Sequence, residues 1–173
     1  MVPELPASRG RSGCVRPYSP FPSLLPTYWV PNWGVDEEGY QLGIMTGGED
    51  VLKEHSYSLS TLYGLGSERF SLFGAYTNRQ LYPDITLFGA DNARAFGNIF
   101  KDEDDDDTTY WQREQTAGLS LTVPIYQSRK VSLTFSAGYR YKKMQALTDT
   151  DEISPQPDEG VLSGFSVELG FQN

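Results

Sequence analysis

The stretch Val131-Ser132-Leu133-Thr134-Phe135-Ser136-Ala137-Gly138-Tyr139-Arg140-Tyr141-Lys142 decides the fold. Its apolar residues recur at every second position, and side chains two apart share one face only in a β-strand. Val131, Leu133, Phe135, Ala137, Tyr139 and Tyr141 make an apolar face, and the other face is small or polar. Just upstream, Ala117, Leu119, Leu121, Val123 and Ile125 alternate with Thr116, Gly118, Ser120 and Thr122. Downstream, Val161, Phe165, Val167, Leu169 and Phe171 alternate with Gly164, Ser166, Glu168, Gly170 and Gln172. Tyr57, Leu59, Tyr63 and Leu65 repeat the pattern against Ser58, Ser60, Gly64 and Gly66.

Working outward, about eight strands are expected, near 22–31, 38–46, 55–65, 69–79, 83–92, 110–126, 129–145 and 160–172. The first carries Pro26, and the fifth has an ambiguous parity because Phe88 competes with Ile85 and Leu87. Short connections imply antiparallel neighbours, so the fold class is all-β, an up-and-down meander with no helix required. Residues 1–20 read as a flexible leader broken by Pro3, Pro6, Gly10, Gly13, Pro17 and Pro20, and 21–173 as one domain. At 173 residues there is no room for a second full core. The net charge of −9 and the lack of a basic face exclude a nucleic-acid partner. Cys14 is the sole cysteine, so an intramolecular disulfide and a thiolate metal cluster are both excluded.

A soluble sheet alternates as well, and four details point instead to a transmembrane β-barrel. Several expected strands exceed the usual soluble length and suffice for a tilted crossing of about 9–11 residues. The non-apolar face is Gly, Ser, Thr and Gln with few charges, as suits a wet lumen. Trp29, Trp33, Tyr40, Tyr57, Tyr110, Trp111 and Tyr126 stand near strand ends, where an interfacial aromatic girdle would place them. The connections, taken alternately, put Glu49–Glu54, Gln80–Asp84 and Gln127–Arg129 on one side. Asn32–Gly39, Gly66–Glu68, Asn92–Thr109 and Thr148–Glu159 fall on the other. Short turns opposite longer, acidic loops is the asymmetry of bacterial outer-membrane barrels.

Pro17-Tyr18-Ser19-Pro20, Leu24-Leu25-Pro26-Thr27-Tyr28-Trp29-Val30-Pro31, Asp50-Val51-Leu52-Lys53-Glu54-His55 and Tyr110-Trp111-Gln112-Arg113-Glu114 carry a resemblance. From about residue 17 onward the chain resembles the C-terminal barrels of bacterial proteins that set a Tol-type propeller before a barrel of the surface-antigen superfamily. The resemblance implies an outer-membrane location, a role in assembly or translocation, and no enzymatic activity. Barrels of that family have about twice the strands expected here, so the chain reads as half of a larger barrel. No secretion signal precedes the strands, and the chain stops at Gly170-Phe171-Gln172-Asn173 without a terminal aromatic residue, which also reads as a fragment.

Few residues suggest chemistry. His55 is the only histidine and is expected as a solvated turn residue rather than a catalytic one. There is no Gly-x-Ser-x-Gly elbow and no phosphate-binding glycine loop. Asp102, Asp104, Asp105 and Asp106 are weak Ca²⁺ or Mg²⁺ candidates, because their run lacks the spacing of a calcium loop. Glu114, Arg140, Lys142 and Glu168 lie on the small-residue face of three successive strands and are candidates for an ion-pair ladder in a lumen, with Glu114 opposite Arg140 or Lys142. No cofactor is expected.

The expected partners are outer-membrane lipid and lipopolysaccharide, the barrel assembly machinery, and further strands and a periplasmic propeller of the same gene product. Two rival readings are a small self-closing, porin-like or structural barrel and a soluble lipocalin-like ligand-binding barrel. The second would have to enclose the apolar face and leave the Gly and Ser rows outside.

Overall fold

The computed structural model describes residues 19–101, 107–129, 131–148 and 159–172. Eight strands follow one another: β1 (Tyr28–Asp36), β2 (Gly39–Glu49), β3 (His55–Gly64), β4 (Phe70–Asn78), β5 (Asp84–Lys101), β6 (Asp107–Gln127), β7 (Ser132–Ala146) and β8 (Gly160–Gln172). They form one antiparallel sheet in sequence order, an up-and-down meander. No α-helix occurs among the described residues, only a short 3₁₀ turn at Phe21–Ser23. β1 and β8 do not pair with each other, so the sheet is open.

Directly paired residues share a face, so the register sorts the side chains. Trp33↔Leu42, Leu42↔Tyr63 and Tyr63↔Phe70 make one apolar row. Leu87↔Leu119, Leu119↔Tyr139 and Tyr139↔Phe165 make another. Nothing described covers this face, and Phe165 on β8 is 87 % exposed. The opposite face carries Asn32, Gly43, Ser58, Ser60, Thr116, Gly118, Ser136 and Gly164.

The sheet curls toward its small, polar face at β1–β3. Asn32 Nδ2 on β1 donates to Ser60 Oγ on β3 at 2.9 Å, passing over the intervening strand β2. Flat neighbouring strands lie about 4.8 Å apart, so next-but-one strands meet in this way only where the sheet bends. Gly43 sits at the bend, and a Cβ there would run into the carbonyl of Thr61.

Three expectations change. β1 begins at Tyr28, later than the expected 22–31, because Pro20 and Pro22 set the 3₁₀ turn and the ladder starts beyond Pro26. Pro31 is tolerated inside β1 because β1 is an edge strand, with one side free of partners. The expected Asn32–Gly39 loop is mostly strand, closed by the two-residue turn Glu37–Glu38. The expected loop from Asn92 is also strand as far as Lys101. Pairing with β6 continues through Phe96↔Tyr110 and resumes, after a register shift, at Phe100↔Thr108. The parity of the fifth strand resolves with Ile85 and Leu87 on the apolar face and Phe88 on the polar one.

Candidate functional site

On the polar face, Phe88, Gly118 and Arg140 form one row across β5, β6 and β7. A side chain at Gly118 would collide with the Phe88 ring, and the missing one leaves room for Arg140, whose guanidinium lies 5.7 Å from that ring. Lys142, opposite Thr116, reaches diagonally to Glu114, with Nζ 2.8 Å from Oε1. Both side chains are partly shielded, and such a pair contributes about 1 kcal/mol. Glu168 stands opposite Ser136 on β8 and has no ion-pair partner among the described residues. Of the four candidate charges, one pair meets; Arg140 faces an aromatic ring, and Glu168 is separate.

Beyond Asp91, β5 has no pairing with β4, and the β5–β6 hairpin projects as an arm past the end of the sheet. The arm packs on two turns. Trp111 Nε1 donates to Glu38 Oε1 of the β1–β2 turn at 2.9 Å, and the Arg69 guanidinium of the β3–β4 turn lies 4.4 Å over the indole. Trp111 N donates to Thr148 Oγ1 at 3.0 Å, and Leu147 N donates to the Trp111 carbonyl at 2.8 Å, which fixes the end of β7. Tyr110, on the other face, packs against Phe96 with ring centroids 6.1 Å apart.

Tyr110 and Trp111 are 1 % and 3 % exposed, the buried hydrophobic residues among those described. Of the aromatics expected near strand ends, these two are therefore enclosed by the arm and its contacts. Neighbours in a strand point to opposite faces, so Tyr110 and Trp111 lie on opposite sides of β6. Trp29, Trp33, Tyr40 and Tyr126 are exposed and Tyr57 is half-buried.

Asp36 organises the turn end outside the apolar rows. Its Oδ1 accepts from Glu38 N at 2.9 Å, and its Oδ2 accepts from Ser67 Oγ at 2.6 Å and Gln41 Nε2 at 3.2 Å. Partial burial pushes the Asp36 pKa up, but the hydrogen bonds from Ser67, Glu38, Gln41 and Gly39 outweigh it and leave the carboxyl below its ordinary 3.8. Two cavities flank this rim. One, of about 600 Å³, opens on the polar side between Asp36, Glu37, Gln41, Asn92, Arg94 and Glu114. The other, of about 430 Å³, lies on the apolar side.

At the opposite end, the expected solvated histidine is buried. His55 is 5 % exposed, and it begins β3 rather than occupying a free turn. Its backbone exchanges bonds with Asp50: His55 N donates to Asp50 Oδ1 at 2.7 Å and Asp50 N donates to the His55 carbonyl at 2.9 Å. His55 Nδ1 lies 2.7 Å from Tyr76 Oη, and the two rings stack at 6.1 Å. The arrangement clamps the β2–β3 turn to β4.

Among the described residues, no cluster of His, Cys, Asp and Glu could hold a metal ion. Asp102, Asp104, Asp105 and Asp106 lie outside the described residues, as do Cys14 and most of 148–159. The chain matches no protein-family model, and no curated protein or solved structure is similar to it. No helix among the described residues is long and apolar enough to cross a membrane, which does not bear on crossing by strands.

Proposed function

We propose that the chain is a membrane-embedded segment of a bacterial outer-membrane β-barrel, non-enzymatic, with its apolar face toward lipid and its small polar face toward a lumen. One observation carries this reading. The meander is a single layer whose apolar face stays exposed across all eight strands, while among the described residues the buried hydrophobic ones are Tyr110 and Trp111 on the arm. A soluble sandwich buries such a face against a second layer, and exposed apolar area on this scale calls for a membrane or a partner. The curl at Asn32–Ser60 favours the same orientation, since it turns the polar face inward. It counts against a lipocalin-like barrel, which would curl the other way.

In lipid, an open edge would leave backbone groups unsatisfied, so the edges of β1 and β8 pair with something. With eight strands, β1 and β8 run antiparallel, which favours a second reading, a small barrel closed by these two edges. Closure through further strands is the arrangement the surface-antigen resemblance implies, with assembly or translocation as the role of a longer protein. Outer-membrane lipid, lipopolysaccharide and the barrel assembly machinery are the partners of either form.

An immunoblot of native outer-membrane fractions, boiled and unboiled in mild SDS, tests the proposal. A heat-shifted band far above 19.4 kDa supports a larger barrel, and a heat-shifted band at 19.4 kDa supports the self-closed form. A soluble band with no shift sinks the membrane reading.

A further inference from the structure

The cavity on the apolar side of the rim is walled by Phe70, Leu72 and Leu147 and edged by Arg69, Arg113 and Asp91, with Glu68 at its lip. By register all of its strand residues belong to the exposed apolar face: Leu72 pairs with Asp91, and Ala93 with Arg113. Apolar wall and cationic edge thus meet where the sheet's apolar face ends. The charges are unequal in their commitments. Arg113 is held by Asp91, with Nε donating to Oδ1 at 2.7 Å and Nη2 donating to Oδ2 in parallel, and Gln115 Nε2 donating to the same carboxylate. Each neutralises the other. The Arg69 guanidinium makes no hydrogen bond or ion pair with any described residue, and its Nε is buried without an acceptor. It is nevertheless held in place against the Trp111 indole, with Cζ 4.4 Å from the ring centroid. Glu68 is exposed at the turn, so its charge is spread into water.

A guanidinium held against an indole, without an anionic partner among the described residues and beside an apolar wall, matches one ligand chemistry: a phosphate group attached to hydrocarbon. Arginine binds phosphate through paired N–H donors, and the exposed Phe70 and Leu72 would meet the first acyl carbons. We propose that this cavity binds the phosphate headgroup of a membrane lipid, with Arg69 as the phosphate-binding residue and Phe70 and Leu72 as the acyl contact. The proposal rests on the membrane reading and adds a specific lipid site to it.

The test titrates the full chain, folded in dodecylmaltoside micelles, with dioleoyl phosphatidylglycerol, with dioleoylglycerol and with inorganic phosphate, and counts bound ligand by native mass spectrometry. The phosphate lipid is retained, and both the phosphate-free lipid and free phosphate bind at least about tenfold more weakly, as loss of one charge-assisted contact requires. Arg69→Gln lowers retention by a similar factor. Glu68→Gln, which leaves the Trp111 contact untouched, raises it, so the site remains testable even where Arg69→Gln disturbs the arm. Equal retention of dioleoylglycerol, free phosphate binding as tightly as the lipid, or no response to either substitution overturns the site. Carbonate extraction of the same preparations from phosphatidylglycerol vesicles separates the two levels. Inserted protein without Arg69 dependence overturns the lipid site alone, and protein that does not insert overturns the membrane reading with it.

Discussion

The indole of Trp111 is hydrogen-bonded at 2.9 Å to Glu38, a residue 73 positions earlier in the chain. The bond joins the first turn of the meander to the arm of β5 and β6, four strands away. It converts a projecting hairpin, which would otherwise have few contacts, into a part of the rim.

Glu38→Ala removes that acceptor and releases the arm, at a cost of about 1 kcal/mol. Trp111 is the buried tryptophan, whereas Trp29 and Trp33 are exposed. Its fluorescence is therefore expected to be shielded from aqueous acrylamide in the wild type and quenched in Glu38→Ala. Trp111→Phe should remove the shielded component altogether. Quenching that is unchanged in Glu38→Ala would show that the arm is held by other contacts.

At the bend of β2, Gly43→Ala places a methyl group against the Thr61 backbone, which cannot rotate aside as a side chain would. The expected loss is large, about 2–3 kcal/mol or failure to fold. Gly118→Ala differs in kind, because its methyl group meets the Phe88 ring. That clash should be relieved by Phe88→Leu, so the double variant is more stable than Gly118→Ala alone. Denaturant midpoints of the four proteins check both statements, and an unrescued double variant contradicts the Phe88–Gly118–Arg140 row.

The alternation of Val131–Lys142 and its counterparts was enough to assign faces and the meander order, and to put Glu114 and Lys142 on one face, but not their register: Glu114 stands opposite Met144 rather than Arg140 or Lys142, and meets Lys142 on the diagonal. Faces and order depend on a period of two, which a sequence displays directly. The start of β1 was not legible, because prolines occur at 20, 22, 26 and 31 and only edge position separates the tolerated one from the others. In the sequence the arm has the look of a loop, because Ala93 and Ala95 make a weak apolar face. Its strand character comes from pairing with Trp111 and Arg113. The burial of Trp111 and His55 depends on Glu38, Arg69 and Tyr76, partners that no local pattern identifies. Closure is equally invisible, since open and closed sheets alternate alike.

The Glu114–Lys142 pair predicts a measurable coupling. Lys142→Gln and Glu114→Gln each break the 2.8 Å contact, and the double neutral variant should lose less than the sum of the two. Interaction energy from the cycle is expected near 1 kcal/mol, falling at high salt in proportion to the pair's partial exposure. The reversed pair, Glu114→Lys with Lys142→Glu, should recover most of the stability. The same exchange between Glu114 and Arg140 should not, because Arg140 contacts the Phe88 ring instead. Recovery in the Arg140 exchange but not in the Lys142 exchange would reverse the assignment.

Asp36 sets an acid limit on the rim. Its folded-state pKa lies below the ordinary 3.8, so the charged form is favoured by folding. The associated stability is fully present above the unfolded value and is lost as the pH falls through the depressed folded value. Protonation then weakens the acceptor that holds Ser67, Gln41 and the Glu38 amide, and the β1–β2 and β3–β4 turns separate. Asp36→Asn should remove this contribution at neutral pH and flatten the acid limb of the stability curve below about pH 4. Ser67→Ala deletes one of the bonds that depress the pKa, so its acid limb should begin at the same unfolded value but end at a higher pH and be smaller than in the wild type. Midpoints of urea unfolding in micelles across the acid range, compared for the three proteins, decide the matter. Parallel curves for wild type and Asp36→Asn would place the acid sensitivity elsewhere.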